Sequence, residues 1–116
     1  MPVLIEVFLR TIPRSRKIIS TDEIIQIVSD YCRVPVKDIK TRIQKHEIVQ
    51  ARYLCMYFMR HYTALSLKSI GKQFNEVRYD HTTVVHGISS VYDMLKNNEQ
   101  IKDAVARIDK AIQQKL

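Results

Sequence analysis

The sequence predicts an all-α domain of about six helices. Apolar residues recur at spacings of three and four along most of the chain, which places them on one face of a helix. Only two glycines and three prolines occur among 116 residues, and this composition disfavours a turn-rich sheet. With 46% apolar residues, the chain is long enough to form a single domain around one buried core.

The first part of the chain divides into an extension and a helix. Residues 1–19 form an N-terminal extension with an apolar run, and the sequence does not indicate its role. The main domain extends from residue 20 to residue 116. Ser20 or Thr21 can cap its first helix, which is expected to end at about Arg33.

A short second helix and a long third helix follow. Pro35 ends the first helix, residues 36–39 allow one or two further turns, and residues 40–47 are predicted to form a basic loop. The strongest apolar periodicity comes next and predicts a central helix that forms the hub of the core. Its apolar positions are Ile48, Ala51, Leu54, Cys55, Phe58, Met59 and Tyr62.

The last part of the chain contains three more predicted helices. Ser66 caps a short helix over residues 66–74, and Asp80 caps a long helix after a connecting turn. The inward stripe of the long helix is Val84, Ile88, Val91 and Leu95. A final helix from about residue 99 buries Ile101, Val105, Ile108 and Ile112.

Positive charge is concentrated in the middle of the chain. Between Arg33 and Arg78 there are ten lysines and arginines against three acids, a surplus of +7 that equals the net charge of the whole chain. The stretches before and after this segment each balance to zero. A localised surplus of this kind suits a polyanionic partner such as nucleic acid, although a solvated basic face is the alternative explanation.

The sequence predicts no metal, no cofactor and no membrane segment. Cys32 and Cys55 lie within apolar patterns and are expected to be small core residues, not a disulfide framework or a zinc site. The i, i+5 spacing of His81 and His86 separates them by about 140° around a helix, which does not suit one metal ion. Because Glu6 interrupts the apolar start, we expect no signal peptide and a cytoplasmic protein.

The long helix has a polar start over residues 80–83, Asp-His-Thr-Thr, which we call the reading head. A short helix followed by a longer helix is the layout of a helix-turn-helix, in which the second helix enters the major groove of DNA. Threonine can hydrogen-bond a base and offer its methyl group to thymine, and histidine can donate to purine N7 or O6. Asp80 chiefly caps the helix, and near DNA it could accept only from cytosine N4.

Several segments resemble the C-terminal DNA-binding domain of the bacterial replication initiator DnaA. Residues 80–84 match that family's Asp-His-Thr-Thr-Val signature, and residues 66–71 resemble its Ser-Leu-x-x-Ile-Gly helix. Residues 49–52, with Met56, resemble its Ala-Arg-x-Arg-Gln-x-Ala-Met stretch, and residues 34–39 fit its short second helix.

The resemblance covers about residues 20–116 and implies a six-helix domain related to the Trp-repressor type of helix-turn-helix. Such a domain binds a short asymmetric box in duplex DNA. The implied base readers are His81, Thr82 and Thr83, with Asp80 and His86 beside them. The family's basic loop puts an arginine into the minor groove, and its basic residues here are Arg42, Lys45 and His46. The family's third-helix arginine corresponds to Arg52, which is expected to contact a DNA phosphate. Further phosphate contacts are expected from Arg60, Ser66, Lys68 and Arg78.

The chain departs from the family pattern in three places. Residues 75–79, Asn-Glu-Val-Arg-Tyr, replace the usual Gly-Gly-Arg with a turn that is longer by about two residues, so the turn geometry must differ and Tyr79 itself is a candidate for the sugar-phosphate backbone. Ile43 and Gln44 interrupt the basic loop, which leaves Arg42 as the best candidate for the minor groove. No Gly-x-x-x-x-Gly-Lys-Ser/Thr loop is present, so we expect no ATPase activity from this chain.

We therefore predict a non-enzymatic module that binds double-stranded DNA sequence-specifically at sites like the DnaA box. Its context would be replication initiation or its regulation, with other replication or regulatory proteins as further partners. The alternative is a protein-interaction bundle or a transcription regulator that kept the fold but changed specificity. An enzyme is disfavoured because the sequence shows no paired carboxylates and no Cys-His pair on facing elements.

Overall fold

The computed structural model describes residues 19–74 and 79–116, and within these residues the regular elements are all helical. The elements are α1 (Thr21–Cys32), α2 (Val36–Ile39), α3 (His46–Tyr62), α4 (Leu67–Gly71) with a 3₁₀ turn (Lys72–Phe74), α5 (His81–Asn97) and α6 (Glu99–Lys115). The predicted all-α class is thus confirmed. The extension proposed over residues 1–19 lies outside the described residues except for Ile19, which is buried.

Helix α1 begins and ends at residues with clear local reasons. The Ser20 hydroxyl accepts from the Glu23 amide, and the Glu23 carboxylate accepts from the Ser20 amide, which together form a capping box. At the other end, Arg33 adopts the left-handed conformation with φ 60° and donates its amide to the Ser29 carbonyl. Pro35 then stands at the N-cap of α2.

Helix α3 is the hub of the core, as its periodicity predicts. It packs against α1, α2, α4 and α5, and α6 closes the bundle against α1 and α5. Its contact with α5 is close, because a Cβ atom added at Gly87 would lie 2.7 Å from the Tyr53 ring and 2.8 Å from the Met56 sulfur. The fully buried side chains of α3 include Ala51, Cys55, Met56 and Met59.

The start of α3 and the buried faces of the last two helices differ from their predictions. Lys45 is the extended N-cap of α3, so the basic loop comprises residues 40–45, and His46 is the first residue of the helix rather than a loop residue. The acidic Glu47 in that first turn suits the positive end of the helix. Leu95 and Val105 are half-buried, and Ala104 occupies a buried position beside the latter.

The two cysteines are free thiols, and they differ in burial. Cys55 is fully buried and Cys32 is half-buried, and burial raises the pKa of both thiols above its ordinary value. Both therefore pack as core or core-flanking residues. In the part of the chain that the structure describes, no helix has both the length and the apolar character that crossing a bilayer requires.

Candidate nucleic-acid interface

The reading head opens helix α5, and its first residue acts as the cap. The Asp80 carboxylate accepts from the Thr83 amide at 2.9 Å. This hydrogen bond, with smaller contributions from the Thr83 hydroxyl and the His81 charge, lowers the pKa of Asp80 below its ordinary value. Asp80 therefore stays ionised at neutral pH, and one of its oxygens is engaged in holding the helix start.

The polar side chains after the cap face outward. His81 and Thr82 are exposed and Thr83 is half-buried, whereas the next residue, Val84, is completely buried against the core. His86 lies one turn beyond Thr82, is also exposed, and packs edge-on against Tyr53 with the ring centroids 5.8 Å apart. The buried valine thus anchors a helix start whose polar groups remain accessible.

Gly71 in α4 lets the backbone of Tyr79, just before the reading head, pack directly against α4. The Tyr79 amide donates to the Gly71 carbonyl at 3.1 Å, and a Cβ atom at position 71 would lie 1.8 Å from the Tyr79 carbonyl oxygen. Only glycine leaves room for this approach. The lengthened turn and the expected phosphate contact of Arg78 fall in residues 75–78, outside the described residues.

The side chain of Tyr79, a candidate for the sugar-phosphate backbone, points to the basic loop. It is half-buried, its ring meets Phe74 edge-on at 5.7 Å, and its hydroxyl donates to the Thr41 carbonyl at 3.4 Å. The residue therefore joins the segment just before the reading head to the loop before α3.

Arg52, which the resemblance places on phosphate, lies at a buried position of α3. The residue is only 2% exposed, and its guanidinium donates to the backbone carbonyls of residues 38, 39, 41 and 43 at 2.7–3.2 Å. Its central carbon also lies 5.6 Å from the centre of the Tyr79 ring. In this structure the charge is used to hold backbone, not offered to a ligand.

The basic loop exposes charged side chains, whereas its backbone is held by hydrogen bonds and by packing on the core. Arg42 and Lys45 are exposed, and Ile43 between them is half-buried against the core while its carbonyl accepts from Arg52. The Thr41 hydroxyl donates to the Asp38 carbonyl at 2.9 Å. Ile43, which interrupts the basic residues of this loop, is therefore one of the residues that hold the loop on the core.

Comparison with known proteins agrees with this geometry. Residues 21–91 match the family model described as the bacterial dnaA protein helix-turn-helix. The chain belongs to the bacterial DnaA helix-turn-helix family. It is thus an all-α DNA-binding domain of the DnaA type, and the matched residues include α1 to α4 and the reading head.

Similar proteins are chromosomal replication initiator proteins DnaA. That of Flavobacterium psychrophilum is 33% identical over 109 residues, which cover 94% of this chain and 22% of the relative. That of Gloeobacter violaceus is 33% identical over 96 residues (83% of this chain, 21% of the relative), and that of a Picosynechococcus species is 36% identical over 91 residues (78% and 20%). The chain thus spans about a fifth of the length of these DnaA relatives.

In this DnaA-type domain some lysine and arginine side chains form ion pairs with carboxylates, and others do not. On and near α6, Lys96, Lys102 and Arg107 pair with carboxylates within their own helices, at 4.0, 3.1 and 2.9 Å. Among residues 19–74 and 79–116, no carboxylate lies within 4.0 Å of the charged groups of the exposed side chains expected on DNA, which are Arg42, Lys45, Arg60 and Lys68. Their charges remain available to a polyanion.

Two other expected phosphate residues have specific surroundings. Ser66 caps α4, because its hydroxyl accepts from the Ser69 amide at 3.1 Å, and it remains exposed. Arg60 of α3 is exposed and borders a shallow groove whose other walls include Leu67 and Ser89. Both lie on elements that pack beside the reading helix.

The anchoring role of Arg52 was missed by reading the sequence. A signal was present, since Arg52 shares one helical face with Ile48, Cys55 and Met59 at spacings of four, three and four. An arginine within such an inward stripe needs buried acceptors. Its acceptors are backbone carbonyls, which no pattern of side chains reveals.

Proposed function

We propose that this domain binds duplex DNA sequence-specifically at short asymmetric sites of the DnaA-box type. The observation that carries the proposal is the reading head, where exposed His81 and Thr82 stand at the capped start of a helix anchored by Val84. A helix start of this kind presents side chains to base edges when it enters the major groove. Thr83 is the third proposed base reader, and Asp80 and His86 flank the three.

The basic loop supplies the second contact of the proposed complex. Arg42 and Lys45 are exposed on a loop that Tyr79 joins to the segment before the reading head, and His46 is exposed at the start of α3. We assign Arg42 to the minor groove next to the site read by α5, where its positive charge is favoured in A·T-rich sequence.

Phosphate contacts from several helices would orient the domain. Arg60 and Lys68 carry exposed charges, Ser66 lies at the start of α4, and Arg78 precedes the reading head in sequence. Such contacts fix the register of a protein on the duplex and carry no sequence information themselves.

The proposed context is replication initiation or its regulation, in the cytoplasm, together with other replication or regulatory proteins. The relatives named above are replication initiators, and this chain corresponds to about a fifth of their length. Because it contains no P-loop sequence, we propose that the chain contributes DNA binding without ATPase activity of its own.

Salt dependence of the affinity tests the electrostatic part of the proposal. If five or six phosphates are contacted, the logarithm of affinity should fall with the logarithm of salt concentration with a slope of about −5. Replacing Lys68 with alanine should reduce this slope by about one, whereas Lys110→Ala, which removes an exposed charge from α6, should leave it unchanged. A salt-independent affinity would contradict the proposal.

Alanine substitution tests base readout. Thr82→Ala and His81→Ala should each weaken binding to the preferred site by roughly 1–3 kcal/mol and binding to random duplex only slightly. Gln114→Ala, at an exposed position of α6, is the matched control and should change neither affinity. Equal losses on both duplexes would instead favour non-specific binding or a protein-interaction role.

A further inference from the structure

We propose that Arg52 and Tyr79 together couple the basic loop to the reading head, so that the domain presents both to DNA in a fixed relative position. Both are positioning residues. This inference rests on the proposed function, in which the two regions bind one duplex. It starts from one observation: a buried arginine and a half-buried tyrosine meet the same stretch of loop backbone.

Arg52 gathers the loop backbone around one point. Residues 40–45 contain no helix or strand, so their carbonyls lack the repeating partners of regular structure. The guanidinium donates to two of these loop carbonyls, those of residues 41 and 43, and also to the carbonyls of residues 38 and 39 at the end of α2. A planar group with five donors can serve several carbonyls at once, whereas the ammonium group of lysine cannot reproduce this fork.

Tyr79 connects this arrangement to the reading helix. Its amide is held by the Gly71 carbonyl, its ring lies against Arg52, and its hydroxyl donates to the Thr41 carbonyl, which also accepts from Arg52. Tyr79 directly precedes the cap residue Asp80. A displacement of the loop would therefore be transmitted over one residue to the start of α5.

The expected benefit is preorganisation of two DNA contacts. A loop that is ordered only on binding costs conformational entropy at that moment, and a loop that is already held does not. In this chain the turn before the reading head has no glycine over residues 75–79, and Tyr79 is the last residue of that stretch. The coupling therefore acts on the residue that directly precedes the reading head.

Amide hydrogen exchange of the free protein tests the contact without DNA. Tyr79→Phe removes the hydroxyl that donates to the Thr41 carbonyl, and Arg52→Lys removes the planar guanidinium. We expect the hydrogen-bonded amides of Lys40 and Thr41 to exchange about three- to tenfold faster in both variants, while α6 is unchanged. Tyr62→Phe removes a hydroxyl bonded to Asp109 and should not affect the loop. Unchanged loop exchange in Tyr79→Phe and Arg52→Lys would overturn the inference.

A double-mutant cycle on DNA tests the coupling itself. Arg42→Ala is expected to weaken specific binding about tenfold in the parent protein and only about twofold in Tyr79→Leu, because a loop that is no longer held gains less from its arginine. Additive losses would overturn the coupling. Thermal melting establishes that each variant is folded, and Tyr79→Phe serves as the milder variant if Tyr79→Leu is not.

Lysine substitution separates positioning from phosphate contact. An arginine that only neutralised a phosphate would be replaced by lysine with little loss, so Arg52→Lys should then bind like the parent protein. A positioning role predicts that Arg52→Lys loses about tenfold in specific affinity and that added Arg42→Ala costs little more. If the parent protein binds no DNA, the proposed function fails, and the exchange measurement still decides whether the contact exists.

Discussion

The reading head and the basic loop are both assigned to DNA, but they are held in place by different means. The reading head is held locally: the Asp80 carboxylate accepts from the amide three residues ahead, and Val84 anchors the helix start in the core. The loop is held from a distance, by Arg52 from the neighbouring helix α3 and by Tyr79, which is 38 residues away from Thr41 in sequence.

This difference predicts different responses to substitution. A helix start has many supporting hydrogen bonds along its own backbone, so the loss of one cap weakens it without removing it. One guanidinium holds two carbonyls of the loop, those of residues 41 and 43, and two at the end of the preceding helix α2, those of residues 38 and 39. Single substitutions should therefore damage the loop more than the reading head, and the following measurements compare the two.

The largest effect is expected for Arg52→Met. The change leaves four carbonyls without their charged donor in a buried site, and it should lower the free energy of unfolding by about 3 kcal/mol. Urea unfolding measures the loss, and Arg60→Met, at an exposed position of the same helix, should stay within about 0.5 kcal/mol of the parent. A loss below about 1 kcal/mol for Arg52→Met would show that the loop is held by other contacts.

A smaller effect is expected for Gly71→Ala, which acts between the two regions. The new Cβ atom would lie 1.8 Å from the Tyr79 carbonyl oxygen, so backbone must move, and we expect a loss of about 2 kcal/mol in unfolding free energy with weaker DNA binding. Gly87→Ala is the comparison, because its obstacles are side chains of Tyr53 and Met56 that can shift. It should cost less than half as much, and an equal cost would contradict the assigned role of Gly71.

The smallest effect concerns the cap of the reading head. Because the folded protein lowers the pKa of Asp80 below its ordinary value of 3.8, the cap stabilises the fold above that pH and loses this contribution as pH falls through the lowered pKa. The melting temperature of Asp80→Ala should therefore lie below that of the parent at pH 6, and the gap should narrow below about pH 4. A gap that is constant with pH would mean that the carboxylate charge plays no part.

The same contrast explains what could be predicted from sequence. Caps at Ser20, Ser66 and Asp80 depend on residues three positions apart, and apolar periodicity depends on one helix at a time, so both are visible in the chain itself. The partners of Arg52 and Tyr79 are backbone carbonyls in another element, and sequence spacing does not reveal such contacts.

Selection of bound duplexes from a random pool at near-physiological salt tests whether the domain recognises a DNA sequence and which residues read it. We expect enrichment of one asymmetric box, with Thr82→Ala relaxing the sequence preference at core positions and Arg42→Ala relaxing it only at an adjacent A·T-rich flank. Enrichment of no sequence above the starting pool, or a Thr82→Ala variant that selects the same box unchanged, would contradict it.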